Sequence, residues 1–172
     1  YYSNHLRLAF EHMASENLGF NLAALSSSET SYYDQFTPLT DKLDRDTQSI
    51  KVGLVLNFAG ITNEISITEG DLTRKYTGST YDSDRQDIEY KGQISLGETK
   101  LIFGAASSKE AMFSTWGDEG SDTEKAVFFD MLRKISEKLD VSATIRQTES
   151  DDFSSNTSYR LAGIYNLENG IR

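Results

Sequence analysis

Residues 121–139 read S-D-T-E-K-A-V-F-F-D-M-L-R-K-I-S-E-K-L, and the way this stretch folds decides the fold class. Phe128, Leu132, Ile135 and Leu139 recur at spacings of four, three and four, and Phe129 and Met131 widen the stripe. That period belongs to an amphipathic helix. Ser121 and Glu124 have capping-box spacing, in which each side chain can satisfy a backbone N–H near the other. Asp122 adds negative charge where the helix dipole favours it. The spacing therefore predicts a long helix over about 121–139. Alone such a helix is marginal, so its apolar face is expected to pack on a sheet.

The N-terminal part shows the same period. Leu6, Ala9, Phe10 and Met13 form one stripe, which predicts a helix over about 2–17 ended by Gly19. Thr37 and Pro38 suit the cap and first position of a short helix over about 38–45. Residues 1–46 thus read as a helical arm and 47–172 as a sheet domain, or the whole of 1–172 as one single domain.

At Thr47 the period changes from helical to alternating. Ile50, Val52, Leu54, Leu56 and Phe58 alternate strictly with other residues, the pattern of a strand with one buried face. Ile65 and Ile67 continue it after a turn at 60–63, and Glu69-Gly70-Asp71 reads as a further turn before a weak strand near 72–77. Residues 78–85 read as a loop. Ile88, Tyr90, Ile94 and Leu96 alternate across Gly92, which suggests a bulge. Gly97-Glu98 then joins them as a hairpin to a strand over 100–104. Val141 to Ile145 and Tyr159 to Tyr165 supply the last strands. The expectation is α+β: an N-terminal helical segment, a largely antiparallel sheet of about six to seven strands, and one long helix packed on it. A helix followed by an antiparallel sheet loosely resembles pilin-like subunits, by element order and not by any motif.

Charge and composition narrow the function. The 172 residues carry 17 Lys plus Arg and 27 Asp plus Glu, a net charge of −10. An acidic surface repels phosphate backbones, so nucleic acid is not an expected partner. There is no cysteine, which removes disulfides, thiolate metal sites and cysteine nucleophiles. No apolar run reaches the ~20 residues of a spanning helix. The chain opens on Tyr1 and not on methionine, leaving room for a leader or a membrane anchor upstream.

None of the nucleophile-elbow, zinc-protease, phosphate-loop or dinucleotide motifs is present. His5 and His12, seven apart, would share a helical face, where Glu11 or Glu16 could complete a metal site. The most suggestive chemistry is Asp82, Asp84, Asp87 and Glu89, spaced D-x-D-x-x-D-x-E. Oxygen-rich loops of this kind hold calcium, although the glycine and distal glutamate of an EF-hand are missing. Two other acidic groups, Asp118 to Glu124 and Glu149 to Asp152, read as helix capping and a polar loop. Nine tyrosines suit strand faces and protein interfaces alike.

The expected function is a non-catalytic structural or interaction subunit of a larger assembly, such as a virion, tail, surface filament or secretion apparatus. It would use protein partners or self-association and no cofactor, and would sit outside the cell, on its surface or in a virion. The alternative is a small-ligand or calcium-binding domain, with a carboxylate-based hydrolase as its rarer form.

Overall fold

The computed structural model describes residues 1–34 and 40–166 and contains nine strands and no helix among them. They are β1 (Tyr2–Ser15), β2 (Leu18–Asp34), β3 (Thr40–Phe58), β4 (Ile61–Tyr76), β5 (Ser79–Leu96), β6 (Thr99–Ser114), β7 (Glu119–Lys134), β8 (Leu139–Ser150) and β9 (Asn156–Tyr165). All belong to one sheet in sequence order, each strand antiparallel to the next. The expected α+β fold is therefore overturned: the chain is all-β.

The stretch 121–139 is strand, turn and strand. β7 takes most of it, residues 135–138 turn the chain, and Leu139 begins β8. Thus the four-three-four spacing runs across two strands and a turn, and marks no common face. Inside β7 a second period is present: Val127, Phe129 and Met131 lie on one side, Ala126, Phe128, Asp130 and Leu132 on the other. Valine and phenylalanine favour strands, and tertiary pairing on both sides overrides a helical spacing that was only local. Cross-strand pairing similarly claims the N-terminal segment. Leu6, Leu8 and Phe10 pair with Ser26, Ala24 and Leu22 of β2, and Gly19 lies inside β2 as the partner of Met13. Residues 40–45, expected as helix, belong to β3, while Thr37 and Pro38 lie outside the described residues.

The turns are tight. Ala59 and Gly60 have φ of 53° and 77° between β3 and β4, the paired positive values that match a hairpin to strand twist. Gly78 and Gly97 also take positive φ, 87° and 59°, in the turns beside β5. The expected turn at Glu69-Gly70-Asp71 is instead continuous strand in β4, and the expected loop at 78–85 is strand in β5 from Ser79 onward. Gly92 causes no bulge: its pairings pass through in register. It sits opposite Phe103, whose ring covers the space a Cβ would occupy.

The sheet has one layer and almost no core. Ala126 is the single buried hydrophobic residue among those described. The chain exposes 12579 Å², where a compact protein of 19.3 kDa would expose about 8,500 Å². Strands are long, up to 19 residues in β3, against about 5–6 in most globular sheets. A sheet with this much bare apolar surface needs a different solvent or a covering on one side.

Candidate functional surface: an apolar face and a charged face

Because side chains alternate across a strand and paired residues share a side, the register sorts every residue onto one of two faces. On the first face lie Leu22 of β2, Val52 of β3, Ile67 of β4 and Ile88 of β5, all in register. Below them come Phe20, Leu54, Ile65 and Tyr90, then Ala105 and Val127. Most of these side chains are exposed, Val52 by 54% and Val127 by 58%, while Leu54 and Tyr90 are half-buried. The apolar residues form a band near the ends joined by the turns at 16–17, 59–60, 97–98 and 135–138. Beyond the band the same face turns polar, with Gln48, Asp71, Asp84 and Ser121 among its residues.

The band does not follow the hydrogen-bonded rows. Leu54 is in register with Gln147 of β8 through Ile65, Tyr90, Ala105 and Val127. Yet the apolar residues of β8 are Leu139, Val141, Ala143 and Ile145, centred five residues from Gln147 after five strand steps. A drift of about one residue (~3.4 Å) per strand spacing of ~4.8 Å keeps the band level only if the strands tilt by about 35°. Closed barrels tilt their strands by about 35–45°. On β3 the band covers positions 50–58, about 27 Å along the strand and about 22 Å in height once tilted. Membrane-spanning barrels carry an apolar band of about 25 Å.

The second face is charged and carries several ion pairs. Glu64 Oε2 lies 2.7 Å from Lys91 Nζ, and its Oε1 lies 3.9 Å from Lys51 Nζ. Arg85 Nε donates to both Asp87 oxygens at 3.0 and 3.1 Å, and Arg85 Nη1 stands 3.9 Å from Glu110. Arg146 Nη2 donates to Glu124 at 3.3 Å. Ser66, 5% exposed, and Ala126 lie on this face, so small side chains sit beneath the long charged ones. Lys51, Arg85, Asp87, Glu124 and Arg146 rim a depression of about 310 Å³.

The residues expected to hold calcium are separated by this alternation. All four lie in β5. Asp82 and Asp84 are on the first face, where Thr73 Oγ1 donates to Asp82 at 2.7 Å. Asp87 and Glu89 are on the second, Asp87 bonded to Arg85. Among the described residues no group of three or more His, Asp or Glu is placed to hold a metal ion. His5 and His12 likewise part, because seven positions along a strand lead to opposite faces: His5 stands 4.0 Å from Glu29, and His12 stacks on Phe10. Sequence reasoning missed the charged face altogether. Its signal was available in the residues between the apolar ones, Lys51, Glu64, Glu89 and Lys91.

Beyond the band on the first face, Asp44 accepts from Thr30 Oγ1 at 2.7 Å and meets Lys42 Nζ at 2.7 Å. The bond from Lys42, then that from Thr30, holds the Asp44 carboxyl below its ordinary value of 3.8. A carboxyl lowered on folding adds stability above its unfolded value and loses it as pH falls through the folded one. Asp44→Asn is therefore expected to melt slightly below the parent at neutral pH, with the difference vanishing well below pH 3.8. Thermal melts across that range check it.

Neither a family model nor a curated protein matches this sequence. Solved structures do match its fold. The siderophore receptor PirA from Pseudomonas aeruginosa superposes with a TM-score of 0.65 at 11% identity, over 96% of this chain and 37% of that one. OmpT, an outer membrane protein of Vibrio cholerae, gives 0.65 at 12% identity over 95% of this chain and 55% of its own. The outer membrane transporter YddB from Escherichia coli gives 0.70 at 9% identity, over 96% and 29%. The nine-stranded antiparallel sheet is therefore similar in fold to part of each of these outer membrane proteins. This chain spans between 29% and 55% of the length of these proteins. No helix of the described residues is long and apolar enough to cross a membrane, which says nothing about crossing with strands.

Proposed function

We propose that this chain forms part of the wall of an outer-membrane β-barrel, with its apolar face against lipid and its charged face toward the lumen. The observation that carries this reading is the apolar band, whose drift across the register is the drift that a barrel-sized strand tilt would level. A bilayer accepts strands only when their backbone groups are paired, and every strand from β2 to β8 is paired on both sides. The turns at 16–17, 59–60, 97–98 and 135–138 sit beside the band and would face the periplasm, where such barrels keep short turns. The strands run on past the band at the other end and would project outward from the cell.

The expected non-catalytic role is kept as part of the proposal and placed in a membrane wall in place of a filament or virion. PirA and YddB are named as a receptor and a transporter. A solute-passing or solute-binding role for the charged face is the form this reading takes here. Fractionation of cells producing the full protein tests it: recovery with the outer membrane supports it. Recovery as a soluble species, with the chain folded in the absence of detergent, would overturn it.

A further inference from the structure

Arg45 of β3 and Arg74 of β4 are direct register partners, so their side chains leave the sheet side by side on the charged face. Like charges placed directly opposite each other destabilise a sheet. Three other cations on this face are held by acids, Lys91 by Glu64, Arg85 by Asp87 and Arg146 by Glu124, while Arg45 and Arg74 are the unpaired cations that stand directly opposite one another. Among the described residues neither Arg45 nor Arg74 has an ion pair or a side-chain hydrogen bond. Glu29 is the register partner of Arg45 on its other side, yet its carboxylate stands by His5 instead. In a chain of net charge −10, leaving two arginines together without an acid is a local reversal of the prevailing sign.

Arg74 opens onto a recess of about 550 Å³ whose walls include Leu72, Tyr76, Tyr81, Met112 and Trp116. The rings of Tyr76 and Tyr81 meet edge to face with centroids 5.7 Å apart. Glu110 and Asp82 also border the recess, but Glu110 already accepts from Ser83 and faces Arg85, and Asp82 accepts from Thr73 on the first face. An arginine fork binds oxyanions in a bidentate manner, and aromatic walls accept a flat ring.

We propose that Arg45, Arg74 and this aromatic recess bind a small aromatic oxyanion, a carboxylate or phosphate carried on a ring. The site lies beyond the apolar band, at the outward end of the charged face. This rests on the barrel reading for its place at a lumen mouth, but not for its chemistry.

Trp116 is the chain's sole tryptophan and borders the recess, so its fluorescence reports occupancy. The full protein in detergent micelles is titrated with 4-nitrobenzoate, 4-nitrophenyl phosphate, neutral 4-nitrobenzyl alcohol and inorganic phosphate. A Trp116→Phe variant subtracts the signal of other origin. Saturable quenching by one or both aromatic anions is expected, and which one binds more tightly tells carboxylate from phosphate. Arg45→Gln with Arg74→Gln should weaken it by about tenfold or more, while Arg45→Lys keeps part of it. Affinity in the unaltered protein should fall as salt rises, which holds even if the double variant misfolds. Equal binding of the neutral alcohol, no salt dependence, or no saturable quenching would overturn the proposal. Saturable anion binding by a protein that proves soluble without detergent would keep this site and sink the barrel reading.

Discussion

Val52→Arg is expected to destabilise the full protein by about 2–4 kcal/mol when it is folded in phospholipid vesicles. Val52 lies in the band between Leu22 and Ile67 of the neighbouring strands, and more than half of it is exposed. In a water-soluble protein so exposed a valine could become arginine with a change within about 0.5 kcal/mol. Against lipid the guanidinium loses its water and can regain it only by reaching for the interface. Depth should therefore grade the effect. Gln48→Arg, on the same face but beyond the band, is expected to cost about 0–1 kcal/mol. Thr68→Arg, adjacent in sequence to Ile67 but on the charged face, should resemble Gln48→Arg more than Val52→Arg. Urea titrations of the three variants in vesicles give the comparison.

Gly104→Ala is expected to cost about 1–3 kcal/mol, as overpacking does. Gly104 is the register partner of Phe128, whose ring lies across it. A Cβ there would meet that ring and the Tyr90 carbonyl oxygen, and the carbonyl is backbone held in the β5–β6 pairing. The ring can swing; the carbonyl can move only with its strand. Gly163→Ala is the control, since its nearest neighbours would be 3.8 and 3.9 Å away. Its expected change is within about 0.5 kcal/mol. Equal losses at the two sites would mean that the close approach at Gly104 is not a constraint.

Phe128 also explains why the sequence misleads. Its role is to cover a glycine on the charged face, so it sits four positions from Leu132 and mimics a helical stripe. The neighbouring Val127, Phe129 and Met131, which carry the apolar band, then look like mere widening of that stripe. Where the second face holds Lys51, Gly53 and Asn57 between apolar residues, as in β3, alternation was plain and the strand was legible. Where the second face holds Ala9 and Met13, as in β1, period two and period 3.6 both fit. A barrel strand crossing a membrane signals itself weakly for this reason: its inward residues need only be tolerated by water, not charged.

The candidate surface was less legible than the strands. Asp82, Asp84, Asp87 and Glu89 look like one cluster only while the segment is taken for a loop. As strand they divide between the two faces, and the pairs that matter, Glu64 with Lys91 and Glu124 with Arg146, are 27 and 22 positions apart and meet only through register. In water an alternating strand needs one buried face, and the helix expected over 121–139 answers that need.

The absence of cysteine makes the central claim open to direct measurement, because each engineered cysteine is the chain's only one. Cysteines placed singly at Ile65, Ser66, Ile67 and Thr68 of β4 would carry an environment-sensitive dye, with the full protein in vesicles containing brominated lipid. Quenching should alternate along the strand, strong at 65 and 67 and weak at 66 and 68, with the weak pair reached by aqueous iodide. Uniformly weak quenching by lipid at all four positions, or strong quenching at 66 and 68, would contradict a wall with one face in lipid.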